Sequence, residues 1–546
     1  MDGRDQLEAW KEEIRQNSYL NDADFRHTVS YYLPKEDQAL SAFAKRVVEE
    51  VEPLVAENSR AENLPRVENY DPIGNRVEKI IHHPSYVKAG NIIYSSGMLE
   101  KMAKKGGLLE GLLYFFLSSQ AGEAGHNCPI ACSYGIIRVL QKYPEVPHRE
   151  EYLRKLVQPS FEGSFTGAQF VTEVQGGSDA GKNRAVATLE KGQWKVSGEK
   201  WFCSNANADL ILMTARYDPN IEDTKGLGLF LVPRVLEDGS LNHFAIRRLK
   251  DKLGTRTLAT AEIDFNEAHA YPIGTPEQGF KILMENVLHF SRLFNSVTVL
   301  AMARRAFQIA LSYAKHREAF GQPIFNYPLV QENLAYVKAE NNALVASIFA
   351  VLKLQDANES EEQKLLLRLL ANLSKTLTSK ASVQHIHRCL DVLAGNGTIE
   401  SFSPIPLLLR DSIICENWEG THNVLKMQIL KDILRYNIDA IFLKYLEPLI
   451  QKAEQLHPLG ATLRTMYQEL TLKFKELREA PQDLQTLLIS GVTDAMGMLF
   501  AAVHLLFEAV DQESKGSSSK MHCLTFNLST VNPTEHLILV RNCLKA

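Results

Sequence analysis

The architecture of this chain is best read from residues 169–216, "QFVTEVQGGSDAGKNRAVATLEKGQWKVSGEKWFCSNANADLILMTAR". Gly, Asn and Asp divide this run into short segments rich in Val, Phe, Trp and Thr, and "EKGQW" at 190–194 is a predicted hairpin turn. No long helical segment separates the predicted strands, as a βαβ array would require. The pattern therefore predicts a small antiparallel β domain, which we place at 156–275.

Helical patterns precede this β domain. Over 1–155, apolar residues recur at helical spacing, for example Leu108, Leu112 and Phe116. The polar stretch 58–78 is rich in turn formers and is predicted to be an irregular loop. Residues 1–155 are therefore predicted to form an N-terminal helical domain.

The second half of the chain is predicted to be helical throughout. Long helical patterns at 293–320, 331–354 and 361–393 predict a C-terminal helical bundle over 276–440. An apolar stripe at helical spacing predicts an additional helical domain over 441–546. The predicted fold class is thus mainly α with a central β domain.

Composition and charge place the chain among ordinary globular proteins. It has 546 residues, of which 45% are hydrophobic and 23% charged, and at about 150 residues per domain this suggests three or four domains. The net charge of −5 provides no general attraction to nucleic acid or to an anionic membrane. The most apolar long run, 484–510, is interrupted by Asp494, which favours a buried helix over a membrane span.

The cysteines and the N-terminal sequence bear on metal binding and compartment. Seven cysteines are scattered without a CxxC pair, so no metal site is expected and reduced thiols in an intracellular compartment are predicted. The opening "MDGRDQLEAWKEEIRQN" is acidic and polar, unlike a signal or transit peptide. We therefore expect a cytoplasmic protein, or one of the mitochondrial matrix if the source is eukaryotic.

Three local motifs suggest ligand chemistry, and each has a purely structural alternative. The glycine-rich "VTEVQGGSDAG" at 171–181 lets the backbone approach a flat ligand, or it is an ordinary β-turn. In "EKWFCSNANAD" at 199–209, Trp201 is either core packing or a wall against a planar cofactor. In "KHREAFGQP" at 315–323, Arg317 lies at a predicted helix end. There it either interacts favourably with the helix dipole or an ion-pair partner, or binds a pyrophosphate. No GxGxxG, phosphate-loop, HExxH or GxSxG motif accompanies them.

A fourth motif, "CENWEGTHNVLKM" at 415–427, places an acidic residue in apolar company. Glu419 stands between Trp418 and Gly420. Either Glu419 caps the helix that begins here, or it is a catalytic base whose pKa is raised by a dry pocket. The motif by itself leaves both readings open.

Taken together and in this order, the motifs resemble those of the acyl-CoA dehydrogenase superfamily over residues 30–440. The residues that carry the resemblance are "TEVQGGS", "EKWFCS", "REAFG", "AGNG" and "LLRDSIICENWEGT". Within the superfamily, "TEVQGGSD", "KWFCS", "RLKDKLGTRT" and "WEGTHNV" look like the AidB (alkylation-response) branch, which also carries an extra C-terminal helical domain. The resemblance implies a helical domain, a β domain and a four-helix bundle, with FAD as cofactor.

The resemblance also implies the roles of individual residues. It makes Glu419 the catalytic base, because Ser291, which matches the base position of some other members, cannot serve. It implies FAD contacts for Thr172, Ser178, Trp201, Cys203, Arg317, Phe320, Asp391, Gly395, Thr421 and Asn423. It implies substrate contacts for Ser178, Arg292, Trp418 and Gly420. Cys203 stands where many relatives have Thr, and Asp391 stands where many have Gln. The resemblance also implies that Arg317, Phe320 and Gly395 contact the FAD of a neighbouring subunit.

The leading hypothesis is an FAD-dependent acyl-CoA dehydrogenase that forms a double bond between Cα and Cβ of an acyl-CoA thioester. The resemblance implies an electron-transfer flavoprotein or similar acceptor, and a homodimer or homotetramer. One alternative is a flavoprotein that mainly binds acyl groups or regulates, with little turnover. Another is an AidB-like DNA-associated flavoprotein, which the ten Lys and Arg against eleven Asp and Glu over 441–546 disfavour.

Overall fold

The computed structural model describes residues 2–35, 37–357, 360–529 and 531–545. Its α-helices are α1 Gly3–Ile14, α2 Ala23–Tyr32, α3 Asp37–Arg46, α4 Glu52–Asn58, α5 Pro84–Tyr94, α6 Met98–Ala103, α7 Leu108–Ser119, α8 Ala124–Lys142, α9 Arg149–Leu156, α10 Gly279–Leu283, α11 His289–His316, α12 Pro328–Gln355, α13 Glu361–Leu393, α14 Ile405–Asn417, α15 His422–Tyr436, α16 Ile438–Leu456, α17 Leu459–Glu479, α18 Gln482–Ser514, α19 Ser519–Leu528 and α20 Pro533–Leu544. Its strands are β1 Arg66–Tyr70, β2 Arg76–Ile81, β3 Gly167–Phe170, β4 Val186–Glu190, β5 Gln193–Ser204, β6 Leu210–Arg216, β7 Leu227–Pro233, β8 Phe244–Leu249, β9 Thr260–Pro272, β10 Glu318–Ala319 and β11 Gln322–Pro323.

Packing groups the described residues into two compact units. The first unit comprises Met1–Glu52, Leu112–Gly122 and Asn295–Ala546, and the second comprises Pro53–Gly111 and Glu123–Phe294. The N-terminal helices, predicted as one domain, are divided between the units. The helical region 441–546, predicted as an additional domain, shares a unit with the bundle, because α18, α19 and α20 all pack on α12.

The β domain of the second unit is a seven-stranded sheet that closes on itself. Strands β6, β4, β5, β9 and β7 pair in that order and β7 pairs back to β6, while β3 lies beside β6 and β8 beside β9. The sheet is mainly antiparallel, as predicted, and it includes two parallel pairings, β3–β6 and the single pair of Val186 with Arg216 between β4 and β6.

A β-hairpin occupies much of the segment predicted to be irregular. Strands β1 and β2 pair across a turn in which the carboxylate of Asp71 accepts from the amide of Asn75 at 2.8 Å. The hairpin is joined to β8, where Glu78 accepts from the amide of Ile246 at 2.6 Å. The prediction of a loop over 58–78 was wrong, because the docking of these strands on a distant strand is not visible in local propensity.

The bundle of the first unit is built on α11, α12 and α13, and α1 packs against it. Trp10 of α1 is fully buried, and its indole Nε1 donates to Ile309 O at 3.1 Å. Arg305 of α11 donates to both carboxylate oxygens of Glu52, at 2.6 and 2.9 Å. The N-terminal segments of this unit are therefore fixed to the bundle by the buried Trp10 and by a largely buried ion pair.

A buried cluster of charges joins α2 to α12, α18 and α19, and Asp24 is its central member. The carboxylate of Asp24 is surrounded by four donors: Asn342 Nδ2 at 3.0 Å, Gln512 Nε2 at 3.0 Å, Ser519 Oγ at 2.9 Å and Lys338 Nζ at 3.6 Å. Burial by itself raises the pKa of Asp24, but Lys338, Lys520 and the hydrogen bond from Gln512 outweigh burial and hold the pKa well below its ordinary value. Asp24 is therefore ionised inside the protein.

Helix α18 is, among the helices described, the one that is long and apolar enough to cross a membrane by length and composition. In its most apolar 18-residue window, 56% of the residues are buried inside the protein. It packs along α12, α16, α17 and α19. Its Glu508 forms a fully buried ion pair with Lys520 of α19. The helix thus has the packing expected of a core helix.

Candidate active site

Glu419 lies in the connection between α14 and α15, residues 418–421, which we call the Glu419 connection. Glu419 has φ 58° and Gly420 has φ 105°. The left-handed conformation costs a residue with a side chain about 1–2 kcal/mol, so the surroundings must hold Glu419 in place. Thr421 is the N-cap residue of α15, so Glu419 precedes the capping position by two residues.

The Glu419 connection is held from α13. Lys375 of α13 is fully buried, and its Nζ donates to Glu416 O and to Gly420 O, both at 2.7 Å. One turn further along α13, Ser379 Oγ lies 3.1 Å from His422 Nε2. Sequence patterns did not indicate Lys375, because a lysine within a long helix is ordinarily exposed.

Two titratable side chains beside the connection have shifted pKa values. Burial raises the pKa of Glu416, against the opposing charges of Lys375 and Lys380. Burial, reinforced by the charges of Lys375, Lys426 and Lys380, lowers the pKa of His422 to about 4. His422 is therefore neutral at neutral pH and carries no proton that it could readily give up there.

Four other predicted residues share this short segment with Glu419. Trp418 and Gly420 are partly buried, whereas Thr421 and Asn423 are exposed at the start of α15. The side chain of Thr421 makes no capping hydrogen bond. The first amides of a helix lack intrahelical acceptors and favour anions, so this end of α15 suits a phosphate group.

The remaining predicted residues of the first unit lie near its surface. Phe320 stands at the tip of the β10–β11 hairpin with φ 52° and is 97% exposed. Asp391 and Gly395 are exposed at the end of α13, and a Cβ on Gly395 would meet no atom within 4 Å. Arg317 is partly buried directly after α11. Three of these four residues are therefore exposed, and one of the three, Phe320, carries a large apolar ring.

In the second unit, the glycine-rich turn follows β3 and lies beside β5. Trp201 N donates to Thr172 O at 2.9 Å, which ties the turn to β5. A Cβ on Gly177 would lie 2.5 Å from Thr172 Oγ1, so only glycine lets the backbone come this close to the hydroxyl. Thr172 is partly buried and Ser178 is exposed, and neither hydroxyl has a hydrogen-bond partner among the described residues.

A buried ion pair supports this turn, and the sequence motifs did not single it out. Lys200 Nζ donates to Glu173 Oε1 at 2.8 Å, and Glu173 also accepts from the amides of Arg184 and Ala185 at 2.6 and 3.2 Å. Burial opposes the charge of Glu173, but Lys200 and the two amides outweigh it and lower the pKa of Glu173. The signal that could have revealed the pair is a lysine in the middle of a predicted strand.

The structure separates the two predicted flavin contacts of β5. Trp201 is partly buried, and Lys250 Nζ lies 3.5 Å from its ring centroid, so a cation covers one face of the indole. Cys203 is fully buried in the apolar core of the β domain, where burial raises the pKa of its thiol. The thiol of Cys203 thus has no exposed surface in this structure, and its contact with FAD stays a prediction. A break in the β5–β9 register between Lys200 and Cys203 turns the strand at this point.

The two predicted residues of α11 are both buried. Ser291 Oγ donates to Val287 O at 3.2 Å and lies 3.4 Å from Gln169 Oε1. Arg292 follows it on the same helix. A hydroxyl bonded to its own helix is no base, so Glu419 is the stronger candidate.

Family profiles match most of the chain. The N-terminal domain of the adaptive response protein AidB matches residues 11–163, the acyl-CoA dehydrogenase middle domain matches 168–268, and the acyl-CoA dehydrogenase C-terminal domain matches 277–434.

Curated relatives agree with these profiles. Acyl-CoA dehydrogenase family member 11 of Caenorhabditis elegans is 30% identical over 508 residues, which are 88% of this chain and 79% of the relative. The putative acyl-CoA dehydrogenase AidB of Escherichia coli is 28% identical over 383 residues, 68% of this chain and 69% of the relative.

Solved structures extend the likeness to the whole fold. The structure of C. elegans ACDH-11 in complex with C11-CoA superposes with a TM-score of 0.83 at 25% identity, covering 97% of this chain and 91% of that one. An acyl-CoA dehydrogenase of Bacillus anthracis complexed with FAD has the same fold, with a TM-score of 0.72 at 18% identity over 94% of this chain and 92% of that one.

This chain therefore belongs to the acyl-CoA dehydrogenase family, a class of oxidoreductases that act on a CH–CH group with a flavin acceptor. The predicted fold class, with helices flanking a central β domain, is confirmed. Within the family the chain is AidB-like, since it carries the AidB N-terminal domain and matches E. coli AidB.

Proposed function

We propose that this protein is an FAD-dependent acyl-CoA dehydrogenase in which the carboxylate of Glu419 takes the α-proton of an acyl-CoA thioester. The observation that carries the proposal is the left-handed backbone of Glu419, with φ 58°, between two carbonyls, Glu416 O and Gly420 O, that both accept from Lys375. Strain of this kind clusters where a side chain must be held in one orientation. Membership of the family supports the reaction class.

The surroundings of Glu419 suit a base that works at neutral pH. A base must be ionised, and it must lie close to the proton that it removes. His422 is neutral there, because its pKa is lowered to about 4, and so it does not supply a competing proton. The ring of Trp418, the preceding residue, is partly buried and offers an apolar wall that excludes water.

The residues of the second unit fit a flavin ring. Thr172 and Ser178 offer two hydroxyls without partners among the described residues, and Gly177 leaves room that a Cβ would fill. Trp201 offers a planar wall whose other face is covered by Lys250. Bound FAD supplies the acceptor for the hydride that leaves the β-carbon. The chain's own part is to orient the ring with these hydroxyls and to hold the α-proton after its transfer to Glu419.

We propose an acyl-CoA thioester as the substrate. The C11-CoA complex of C. elegans ACDH-11 supports this class of ligand. Ser178, Arg292, Trp418 and Gly420 remain our candidates for contacts with it. Arg292 is buried, and a buried guanidinium is suited to binding a polar part of a ligand that water does not reach.

We further propose that the protein is a homodimer or homotetramer that passes electrons to an electron-transfer flavoprotein or a similar acceptor. The 97% exposure of the Phe320 ring supports an assembly, because a large apolar side chain gains free energy when a second subunit covers it. Arg317, Phe320 and Gly395 would then meet the FAD of a neighbouring subunit. The cytoplasm, or the mitochondrial matrix in a eukaryote, is the compartment we propose.

The test is an anaerobic titration of the FAD-loaded protein with acyl-CoAs of short to long, straight and branched chains, followed by flavin absorbance. Bleaching by one class of chain, lost in Glu419→Gln, supports the proposal. Glu416→Gln is the matched control, because Glu416 is the neighbouring carboxylate and burial raises its pKa. Bleaching that survives Glu419→Gln and is lost in Glu416→Gln contradicts the assignment of the base.

A flavoprotein that no acyl-CoA bleaches would contradict the proposal as a whole. The alternative, a role in acyl binding or regulation, then predicts tight binding of an acyl-CoA without reduction. A DNA-associated role predicts salt-dependent retention of duplex DNA instead.

A further inference from the structure

A lysine buried beneath the Glu419 connection has no role in the function proposed so far. Lys375 is 0% exposed and is among the largest fully buried side chains of the protein. Burying an ammonium group is costly unless it is hydrogen-bonded. Here Nζ donates to two backbone carbonyls, Glu416 O and Gly420 O, each at 2.7 Å.

The two carbonyls stand on opposite sides of Glu419 in the chain. Glu416 O belongs to the last turn of α14, where carbonyls lack an intrahelical donor and where the helix dipole favours a cation. Gly420 O directly precedes Thr421, the N-cap residue of α15. One ammonium group thus bridges the end of one helix and the residue before the start of the next.

The backbone between these carbonyls is strained. Glu419 and Gly420 both have positive φ, 58° and 105°. A non-glycine residue keeps such a conformation only when its surroundings enforce it. The two hydrogen bonds from Lys375 contribute to that constraint, because they hold Glu416 O and Gly420 O, which flank Glu419, at one nitrogen atom.

We infer that Lys375 is the positioning residue of Glu419: it clamps Glu416 O and Gly420 O together so that the Glu419 carboxylate is held in one orientation. The inference rests on the proposed function for its catalytic consequence. The clamp itself is a property of the fold. In this role Lys375 acts through the backbone carbonyls on either side of Glu419.

The variants are Lys375→Met, which keeps the length of the side chain and removes the donors, and Lys375→Gln, which keeps donors on a neutral group. The matched control is Lys380→Met. Lys380 lies on the same helix and, like Lys375, exerts its charge on Glu416 and His422, but it is exposed and donates to no carbonyl of the connection among the described residues. The control separates loss of a nearby charge from loss of the clamp.

The first readout needs no catalysis: hydrogen exchange of the backbone amides of 418–423 in the FAD-loaded protein. We expect exchange there to be at least tenfold faster in Lys375→Met, intermediate in Lys375→Gln and unchanged in Lys380→Met, while amides elsewhere in α12 and α13 keep their protection. A tenfold change corresponds to about 1.4 kcal/mol, close to the strain of one left-handed residue. Unchanged exchange at 418–423 overturns the inference, whether or not the protein turns over an acyl-CoA.

The second readout is the rate of flavin reduction by a saturating acyl-CoA, with the acyl-CoA affinity taken from the same titration. Misplacement of a catalytic group by about 1 Å costs about 100-fold in rate. We expect a loss of this order in Lys375→Met with the affinity for acyl-CoA changed less than threefold, and partial recovery in Lys375→Gln. Equal losses in rate and affinity, or an equal loss in Lys380→Met, contradict positioning. If the unsubstituted protein is not bleached at all, the proposed function fails, and the exchange measurement alone decides the clamp.

Discussion

Replacing Asp24 by Asn tests whether the buried charge cluster joins α2 to the C-terminal helices. The carboxylate accepts from Asn342, Gln512 and Ser519 at 2.9 to 3.0 Å and lies 3.6 Å from Lys338 Nζ. Asn keeps the shape, but it loses the charge and turns an NH2 group toward these donors. Removing one partner of a buried ion pair lowers the free energy of unfolding by about 3–5 kcal/mol. Because Asn retains one acceptor oxygen, we expect Asp24→Asn to lower it by about 3 kcal/mol.

The pH dependence of this loss has a definite sign. Asp24 has its pKa lowered in the folded protein. Its contribution is therefore fully present above the unfolded pKa of about 3.9 and is lost as pH falls through the folded pKa. The difference in unfolding free energy between the natural protein and Asp24→Asn should be constant from about pH 5 to pH 8 and should shrink below about pH 4.

The assay is urea unfolding followed by circular dichroism, at matched FAD loading and at a series of pH values. Glu513→Gln is the control, because Glu513 is an exposed carboxylate of α18 close to the same cluster in the chain. Its effect should stay within about 0.5 kcal/mol. A loss below about 1 kcal/mol for Asp24→Asn at neutral pH, or a larger loss that does not shrink on acidification, would refute an electrostatic role for the cluster.

Two further substitutions test the proposed cofactor and subunit contacts. Gly177→Ala places a Cβ 2.5 Å from Thr172 Oγ1. Overpacking of this kind costs about 1–3 kcal/mol. If the turn binds the flavin, FAD should therefore be bound at least about fivefold more weakly, as measured by flavin fluorescence on dilution. Gly491→Ala, where a Cβ would meet nothing within 4 Å, should keep its FAD, and equal loss in both variants would contradict the role of the turn. Phe320→Ser should shift the protein toward smaller species in sedimentation velocity, whereas Leu472→Ser, at another exposed apolar position, should not. An unchanged distribution for Phe320→Ser would place the interface elsewhere.

The β domain and the long helices were predictable because their signals are local. Alternating β-prone runs bounded by Gly, Asn and Asp mark the strands of 169–216, and apolar residues at helical spacing mark α11, α12 and α13. The motifs around Glu419 and Thr172 were visible for the same reason, since each is a few consecutive residues. Their roles remain predictions.

The sequence by itself therefore determined the order of the helices and strands, the family and the short motifs. Tertiary structure alone decided which distant groups meet: the β1–β2 hairpin on β8, α18 to α20 on α12, and Cys203 in the core of the β domain. It also placed Lys375 under the Glu419 connection and Lys200 beside Glu173. The physical reason is that a buried charge is tolerated only where partners from elsewhere in the chain satisfy it. A local sequence pattern does not predict which residues from elsewhere in the chain those partners are.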